Sequence, residues 1–486
     1  MPYTVPQHID PNKIFLVNFS ELEGRMEPEY YQPSLASLEK RISSKSSKRL
    51  RDYALSIAGG ATPSKSESNK YYTDSDHGIP FLRVQNLSTI GDLLLDDCIY
   101  INDDTHNNIL KRSQVSEGDL LVKITGVGRM AIASVAPNGF VGNTNQHMVV
   151  IKTGNANVSK YIARYLNLDI IERIASRHST GGTRPALDYS SLKKIPIIEN
   201  LDFSVIDKAI SLRKEKLAQA KAKLASIDQY LLGELGITLP EDSHEKTFIV
   251  NYKDVDGGRL DPKSYCNNVK NLKNAITDSS FEKQPLSTFI VNESSGDWGE
   301  DIERKDLDFA NYTKCLVLRA TEFDNRYNLK LDNSRVKYRY ISNAKLRRMN
   351  IQTNDLIIEK SGGSEDQPVG RIGILTREIL GNKTIAFSNF LHKITVTGID
   401  PQYLFFYLKT MHNIGLTDSM QSQTNGIRNL IMSEYKRQNI IVPDKQAQTQ
   451  IADHISAIRA EAKALEQEAD AILEQAKKKV EEMILG

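Results

Sequence analysis

The segment Gly24-Arg25-Met26-Glu27-Pro28 is followed three positions later by Tyr31, and the same pattern returns about half a chain length further on. The second copy reads Gly258-Arg259-Leu260-Asp261-Pro262 and is followed three positions later by Tyr265. This interval far exceeds the roughly 20–50 residues of a solenoid repeat. The pattern therefore predicts a duplicated domain, with a connector, rather than an array of small repeats.

Further matching residues occur in the same order in the two halves of the chain. They are Gly118-Asp119-Leu120-Leu121 with Asn354-Asp355-Leu356-Ile357, Arg129 with Arg371, Tyr161 with Tyr403, Asn145 with Asn389, Gly182 with Gly426, and Arg184 with Arg428. Each half then closes with a long helix-forming run. Two similar modules with two similar helices predict a pseudo-twofold molecule, and duplex DNA is the commonest long ligand of that symmetry.

The two helix-forming runs carry apolar residues at alternating spacings of three and four, which is the heptad pattern of a coiled coil. The first seam consists of Phe203, Ile206, Ile210, Leu217, Ala220, Leu224, Ile227 and Leu231, and the second of Ile451, Ile455, Ile458, Ala462, Leu465, Ala469, Ile472, Ala476 and Met483. Because such a seam needs a partner, we expect the helices to pack on each other, and each would span roughly 50 Å and hold the modules well apart. The alternative is two unrelated amphipathic helices, each docked on its own domain.

The composition is that of an ordinary globular protein, with 40% hydrophobic and 26% charged residues among 486. No apolar run reaches the roughly 18 residues of a membrane helix, and the N-terminus lacks the features of a secretory signal. The scattered Cys98, Cys266 and Cys315 predict neither a disulfide framework nor a metal cluster, and they favour a reducing cytoplasm. A formal net charge of +2 argues against a simple polycation, although basic residues can still gather on one face.

The predicted fold class is α/β, with two globular modules in tandem repeat and two long helices. Short apolar runs bounded by Gly, Asn and Asp predict strands at 79–84, 119–124, 130–135, 148–151, 316–318, 355–358 and 371–375. Helical spacing predicts matching helices at 159–176 and 401–411. The predicted division of the chain is a leader at 1–49, module one at 50–200, a central helix at 201–236, a linker at 237–283, module two at 284–443 and a C-terminal helix at 444–486. Residues 43–48 at the end of the leader are predicted to form a flexible basic link.

No motif in the sequence indicates catalysis. There is no G-x-x-x-x-G-K-[ST] phosphate loop, and Gly126-Val127-Gly128 is too short for a dinucleotide or S-adenosylmethionine loop. The Asn/Asp-Pro-Pro-Tyr tetrapeptide of amino-methyltransferases is missing. A nuclease site of the Glu-x-Lys kind is not formed, because Glu359 and Lys360 are adjacent, and the histidines lack metal-ligand spacing.

Polar loops that contain glycine recur at matching places in the two modules. The candidate DNA-contacting residues in them are Lys123, Thr125, Arg129, Asn143, Asn145, Gln146, Thr180, Thr183 and Arg184 in module one, and Lys360, Ser361, Arg371, Ser388, Asn389, Gln423, Asn425 and Arg428 in module two. Arg and Lys can reach guanine edges or phosphates, Asn and Gln can reach adenine, and glycine lets backbone amides approach the sugar-phosphate chain. The alternative is ordinary turn chemistry. The glycine and the arginine or lysine residues of these loops match between the modules, while the residues beside them differ. This pattern favours two modules that read different short DNA sequences.

Among these candidates, Arg184 and Arg428 are expected to occupy equivalent places, each two residues after a glycine, and to contact DNA at separate half-sites. The alternative for this pair is an ion pair with a nearby acid, as surface arginines often make.

The ordered set of motifs resembles the specificity subunits of type I restriction–modification systems over nearly the whole chain. The resemblance rests on the Gly-Arg-hydrophobic-acid-Pro segments, on the Gly/Asn-Asp-Leu strands at 118–121 and 354–357, on the polar loops that precede 187–196 and 430–443, and on the heptad helices. It implies that an antiparallel coiled coil separates two target-recognition modules. Each module would read one half of a split double-stranded DNA target, with a fixed unread spacer between the halves.

The resemblance also implies partners. The helices would dock two adenine methyltransferase subunits, for which the candidate residues are Ile210, Leu217, Leu224, Leu231, Ile458, Leu465 and Ile472. Those subunits would recruit two ATP-driven translocase–nuclease subunits, so S-adenosylmethionine, ATP and Mg would be used by the partners and no cofactor by this chain, a non-catalytic cytoplasmic protein without a membrane partner. One departure is that the C-terminal helix exceeds the central one in length, so its end would be unpaired or used for another contact. The alternative function is a coiled-coil interaction scaffold that reads no bases.

Overall fold

The computed structural model describes residues 8–241, 247–252, 255, 262–304, 306–324, 326, 328–331, 336–364, 367–424 and 426–486. Of the second Gly-Arg-hydrophobic-acid-Pro segment, only Pro262 lies within them, and the candidate residue Asn425 lies outside. The chain divides into unit one, which comprises Met1–Leu217 and Glu466–Gly486, and unit two, which comprises Ala218–Leu465. Each unit therefore takes a part of both long helices.

Unit one is a mixed α/β unit. Its strands are β1 (Lys48–Arg49), β2 (Ser56–Gly59), β3 (Tyr72–Thr73), β4 (Ile79–Leu82), β5 (Ile99–Ile101), β6 (Gln114–Ser116), β7 (Leu120–Lys123), β8 (Ala133–Val135), β9 (Val141–Thr144), β10 (Met148–Lys152) and β11 (Pro196–Ile197). Its helices are α1 (Pro33–Ser44), α2 (Ser68–Tyr71), α3 (Ala156–Leu166), α4 (Asp169–His178), α5 (Tyr189–Lys194) and the first part of α6 (Ser204–Glu234). The strands form an antiparallel sheet in the order β2-β10-β7-β8, a second sheet in the order β3-β5-β4-β9-β6 and a β1-β11 pair.

Unit two contains the remaining elements that the structure describes. Its strands are β12 (Glu282–Pro285), β13 (Ile290–Ser295), β14 (Tyr312–Leu318), β15 (Lys337–Ser342), β16 (Leu356–Glu359), β17 (Ser361–Gly363), β18 (Ile372–Ile374), β19 (Ile385–Phe387), β20 (Leu391–Val396), β21 (Gln421–Thr424), β22 (Ile427–Leu430) and β23 (Asn439–Val442). Its helices are α7 (Asn267–Asp278), α8 (Asn343–Met349), α9 (Arg377–Leu380), α10 (Pro401–Asn413), α11 (Met432–Arg437), the last part of α6 and the first part of α12 (Lys445–Leu485).

The two units share one strand plan. The order β13-β20-β16-β18 in unit two repeats β2-β10-β7-β8 of unit one. In the second sheet of each unit one strand pair is parallel, β4 with β9 in unit one and β14 with β19 in unit two. The predicted α/β fold and its duplication are thereby confirmed. The observed strands lie within three residues of their predicted bounds, except that β14 begins four residues earlier than predicted.

A buried central strand joins the two sheets of each unit. In β7, Leu120 and Val122 pack into the core with α3 and α4, while Leu121 packs with residues of the second sheet. Strand β16 does the same, since Leu356 and Ile358 face one core and Ile357 the other. Successive side chains of a strand point to opposite faces. A continuous apolar run is therefore the pattern that a strand covered on both faces requires.

The predicted helix at 159–176 is in fact two helices, α3 and α4, which is a correction. The break lies at Asn167, whose side-chain amide donates to the carbonyl of Ala133 over 2.8 Å and accepts from the N–H of Ala133 over 3.1 Å. A polar side chain that satisfies a neighbouring strand in this way competes with continuation of the helix. The break leaves α4 as a separate helix that ends at the polar loop 179–186.

The long helices pair in an antiparallel manner within each unit. In unit one, Arg213 of α6 pairs with Asp470 of α12 at 3.0 Å. Lys216 of α6 pairs with Glu468 of α12 in the same unit at 2.8 Å. In unit two, Lys223 of α6 pairs with Glu461 of α12 at 2.6 Å, and the ring centroids of Tyr230 and His454 lie 4.3 Å apart. In each unit, residue numbers rise on α6 as they fall on α12. Such ion pairs flank an apolar seam in coiled coils.

The seam residues behave differently near the C-terminus, and the predicted seam is wrong there. Met483 is exposed, whereas Leu473, Val480 and Ile484 are buried with Ala476 in the core of unit one. Spacings of three and four residues that continue against a globular core follow the 3.6-residue period of a single docked helix. The extra length of α12 therefore packs into unit one.

The described part of the leader packs against the rest of unit one. It contains the 12-residue helix α1, with Ile42 fully buried. The expected flexible link at 43–48 is instead tied down, because Lys45 donates to the carbonyl of Ile484 over 2.8 Å and Lys48–Arg49 pairs with β11. The side chains of Lys45 and Ser46 donate hydrogen bonds to backbone carbonyls in this segment. The serine- and lysine-rich composition alone does not predict these hydrogen bonds.

Candidate nucleic-acid interface

Three segments meet at the end of β7 in unit one. The N–H of Ile124 donates to the carbonyl of His147 over 2.9 Å, and the N–H of Leu187 donates to the carbonyl of Ile124 over 2.8 Å. The N–H of Gly126 donates to the carbonyl of Pro185 over 3.0 Å. The polar loops around residues 125, 146 and 180–186 are thereby brought together by main-chain hydrogen bonds.

The loop at 180–186 is closed by its own backbone. Thr180 and Ala186 exchange two hydrogen bonds of 2.8 Å. Between them, Gly181, Thr183 and Arg184 are exposed, and Gly181 has a φ of 95°, a left-handed conformation that favours glycine. The side chain of Arg184 has no hydrogen bond or ion pair within the described part of the chain, so its guanidinium is available to a ligand.

The same main-chain pattern occurs in unit two. The N–H of Lys360 donates to the carbonyl of Phe390 over 2.9 Å, and the N–H of Leu430 donates to the carbonyl of Lys360 over 2.8 Å. Strand β22 pairs with both β17 and β21, and this places Arg428 opposite Gln423. The ammonium group of Lys360 donates to the hydroxyl of Ser295 over 3.0 Å, and partial burial lowers the pKa of Lys360.

These hydrogen bonds establish which residues are equivalent, and they correct pairs expected from the sequence. If Ile124 corresponds to Lys360 and Leu187 to Leu430, then Arg428 corresponds to Pro185 and not to Arg184. By the same register Asn389 corresponds to Gln146, and Asn145 corresponds to Ser388. A shift of one residue in extended backbone turns a side chain to the opposite face. The two arginines therefore do not occupy equivalent places.

Several candidate residues lie in the interior of unit one. Lys123 is buried, and its ammonium group donates to the carbonyls of Val127 and Arg129 over 2.8 and 2.9 Å. Burial lowers the pKa of Lys123. Asn143 is fully buried and donates to the carbonyl of Leu110 over 2.9 Å, while the buried Asn145 accepts from the N–H of His147. The polar atoms of these three residues therefore hold the loops in place.

Arg129 and Arg371, which the sequence analysis paired, both bind carboxylates but are not equivalent. The N–H of Glu359 donates to the carbonyl of Arg371, whereas that of its counterpart Lys123 donates to the carbonyl of Ile132. Arg371 forms a bidentate pair with Glu359, with distances of 2.7 and 2.9 Å, and donates to the carbonyl of Ala320 over 3.1 Å. Both partners of the pair are buried, at 7% and 1% exposure. Arg129 binds the Asp169 carboxylate and donates to the carbonyl of Asn167 over 2.6 Å. Both guanidinium groups are thus engaged by partners within their own units, and Ser388 is fully buried.

The remaining candidates form two surfaces that the loops expose wholly or in part. Recognition surface one consists of Thr125, Gln146, Thr180, Thr183 and Arg184, and recognition surface two of Lys360, Ser361, Asn389, Gln423 and Arg428.

Exposed apolar side chains, which the sequence patterns do not single out, lie in the loops of both surfaces. Phe390 is 45% exposed and Ile427 48% exposed in unit two, and Val127 is 77% exposed in unit one. An apolar residue exposed among polar loops can contact the methyl group of thymine. In the sequence, only the position of Phe390 directly after the candidate residue Asn389 points to such a contact.

The electrostatics of surface one favour an anionic ligand. Burial lowers the pKa of His147, and the nearby charge of Arg184 lowers it further. The imidazole is therefore kept neutral while Arg184 provides the positive charge.

Within the described ranges, no three His, Cys, Asp or Glu side chains are grouped so as to hold a metal ion. No helix in the same ranges has both the length and the apolar character needed to cross a bilayer.

The family model of the type I restriction modification DNA specificity domain matches the chain twice, at residues 45–198 and 299–475. The chain belongs to this family. The first match contains all of recognition surface one and the second all of recognition surface two. The two matched DNA specificity domains thus stand in tandem, with α6 between them in the sequence.

Comparison with curated proteins finds no match. Among solved structures, the S subunit of the type I restriction-modification system from M. genitalium is 13% identical, with 89% of this chain and 95% of that chain covered and a TM-score of 0.35. The HsdS subunit from Thermoanaerobacter tengcongensis is 13% identical, with coverages of 90% and 94% and a TM-score of 0.30. The type IIG restriction endonuclease BpuSI is 11% identical, with coverages of 37% and 28% and a TM-score of 0.29.

Proposed function

We propose that this chain is the sequence-reading subunit of a type I restriction–modification complex, and that each specificity domain reads one half of a split duplex target. One observation supports this most strongly. The same main-chain arrangement presents polar side chains at the same place in both domains that the family model matches. The side chains themselves differ between the two surfaces, as two readers of different base sequences require.

The chemistry of the surfaces suits base edges and phosphates. The guanidinium groups of Arg184 and Arg428 can pair with guanine, and the amides of Gln146, Asn389 and Gln423 can pair with adenine. Lys360, as a compact cation, suits a phosphate. The exposed Phe390 adds an apolar contact for thymine.

We further propose that the chain itself is non-catalytic and acts in the cytoplasm with two methyltransferase and two translocase–nuclease subunits. Those subunits would bind S-adenosylmethionine, ATP and Mg. The seam residues proposed for subunit binding are used inside this chain, because Ile210 and Leu231 are buried and Leu217, Leu224, Ile458, Leu465 and Ile472 are half-buried. Partner subunits would therefore dock on the charged outer faces of α6 and α12, and the seam would stabilise that platform.

The function is tested by DNA binding of the complex with its methyltransferase subunits. Sequencing of methylated adenines first identifies the target, and fluorescence anisotropy then compares that target with random duplexes over a salt series. We expect the target to bind about 10³–10⁷-fold more tightly than random DNA, with log K falling linearly against log salt. A complex that assembles but binds both duplexes equally would support the alternative of a scaffold that reads no bases.

Arg184→Ala should weaken binding of the complex by about 1–3 kcal/mol and relax the choice of base at one position of half-site one, if the contact is to a base. If the contact is to a phosphate, all sequences should weaken and the salt slope should fall by about one unit. The melting temperature should not move, because Arg184 is exposed and binds no other described residue.

The matched control is Arg112→Ala, which removes another exposed arginine of unit one. It should leave the choice of base at half-site one unchanged. Unchanged DNA affinity together with a lower melting temperature in Arg184→Ala would assign this arginine to structure instead.

A further inference from the structure

The proposed function does not account for the Gly-Arg-hydrophobic-acid-Pro segment at 24–28, which contributes nothing to either recognition surface. Its arginine reaches the end of α4. The guanidinium of Arg25 donates to the carbonyl of His178 over 3.3 Å and to the carbonyl of Ser179 over 3.1 Å. These carbonyls belong to the last residue of α4 and the first residue of the loop at 179–186. A cation is favourable there, because the C-terminus of a helix carries unsatisfied carbonyls and partial negative charge.

Aromatic stacking fixes this guanidinium in place. The guanidinium carbons of Arg25 and Arg177 each lie 4.3 Å from the centroid of the Tyr30 ring. Tyr30 is 5% exposed, and its carbonyl accepts from Arg177 over 2.7 Å. The hydroxyl of Tyr31 donates to the carbonyl of Arg25 over 2.9 Å, which accounts for the tyrosine that follows the motif.

A carboxylate from α1 completes the cluster. Glu39 accepts hydrogen bonds from Arg177 and from the imidazole of His178, the latter at 2.9 Å. Burial alone would raise the pKa of Glu39, but His178 and Arg177 outweigh it and hold this pKa below its ordinary value. The carboxylate therefore stays ionised and ties α1 to the end of α4.

The opposite end of α4 is also held from outside the helix. Glu481 of α12 accepts from the N–H groups of Asp169 and Ile170 over 2.6 and 3.2 Å. The N-cap residue of α4, Leu168, has no side chain that could do this. Both ends of α4 are thus fixed within unit one, and the end that Arg25 holds is the one that continues into the loop at 179–186.

We infer that Arg25 is a positioning residue for the reading of half-site one: it fixes the start of the loop that carries Thr180, Thr183 and Arg184. This inference rests on the proposed function. A direct DNA contact by Arg25 is disfavoured because its side chain is only 19% exposed and its donors are engaged by carbonyls and by Glu27. The Gly-Arg-hydrophobic-acid-Pro segment therefore serves to hold a reading loop and does not itself read.

The test compares Arg25→Ala, Arg25→Lys and the control Lys40→Ala, which removes an exposed cation of the same leader. Hydrogen exchange of the loop is measured on the assembled complex without DNA. Binding is then measured on duplexes with single base changes in either half-site. We expect faster exchange of the amides at 180–187 in Arg25→Ala and a roughly tenfold loss of discrimination at half-site one, the size of one lost contact. Discrimination at half-site two should be unchanged.

Arg25→Lys should restore part of both properties, because it keeps the charge but cannot bridge two carbonyls in the way a guanidinium does. Equal losses at both half-sites, or a lower melting temperature with unchanged exchange at 180–187, would overturn the inference and leave Arg25 a general structural residue. If Arg25→Ala does not fold, the inference is tested with Arg25→Lys alone. Unchanged hydrogen exchange at 180–187 together with unchanged discrimination at half-site one in Arg25→Lys would also overturn the inference. Exchange without DNA tests loop positioning even if the wild-type complex proves to read no sequence, so the two failures are distinguishable.

Discussion

Arg371→Ala is expected to lower the free energy of unfolding of the chain by about 3–5 kcal/mol, because it leaves the buried carboxylate of Glu359 without its partner. Arg371 and Glu359 form two hydrogen bonds of 2.7 and 2.9 Å in a site where their side chains are only 8% and 1% exposed. Urea unfolding of the purified chain measures the change. When only the folded fraction of Arg371→Ala is counted as active, its affinity for DNA should equal that of the wild-type protein.

The loss should depend on pH in a defined direction. Burial raises the pKa of Glu359 above its ordinary value even with Arg371 present, and removal of the arginine takes away the influence that opposes burial. The folded variant then binds a proton that the unfolded chain releases, so stability falls as pH rises through the folded pKa. The deficit of Arg371→Ala should therefore be smaller in acid than at neutral pH.

Two controls separate an unpaired charge from a lost DNA contact. The double variant Arg371→Met with Glu359→Leu removes both charges and should recover most of the stability. Arg129→Ala, which removes an arginine of unit one that also binds a carboxylate, should cost less because its partner Asp169 is 49% exposed on its side chain. A normal unfolding free energy with weakened DNA binding in Arg371→Ala would contradict the structural role and return Arg371 to the interface.

The sequence was sufficient for the duplication because that signal depends on order and spacing. Continuous apolar runs predicted β7 and β16, and the heptad spacing predicted α6 and α12, since these patterns follow directly from burial. Asn167 shows where such reasoning fails. Its side chain ends α3 by binding Ala133, a residue of a strand far away in the sequence.

The candidate site was predicted less well than the fold. Matching Arg129 with Arg371 failed, because strand pairing places Ile132, and not Arg129, at the position equivalent to Arg371. Sequence also cannot show that each guanidinium has a carboxylate partner. Pairing Arg184 with Arg428 failed by one residue, because the lengths of the intervening loops differ and only the main-chain hydrogen bonds define the register. The loops themselves were found, since glycine and polar residues mark them.

The largest functional effect is expected from replacing residues 50–200 with the same segment of a family member that has a different target. The hybrid should recognise a new half-site one joined to the old half-site two. Since each mismatched base pair costs about 1–3 kcal/mol, preference for the hybrid target over the parental one should be on the order of 10³-fold or more. Sequencing of methylated adenines in a host that carries the hybrid system measures the result.

The contacts of this segment favour such an exchange. It contains all of recognition surface one, and two of its anchors outside the segment bind main-chain atoms. Arg25 binds the carbonyls of residues 178 and 179, and Glu481 binds the N–H groups of residues 169 and 170. Main-chain partners are available whatever side chains the donor segment carries.

The same experiment with residues 284–443 should change only half-site two, and this provides the reciprocal control. A change in both half-sites after replacement of 50–200 alone would mean that the domains do not read independently. An unchanged target would mean that surface one does not read bases at all.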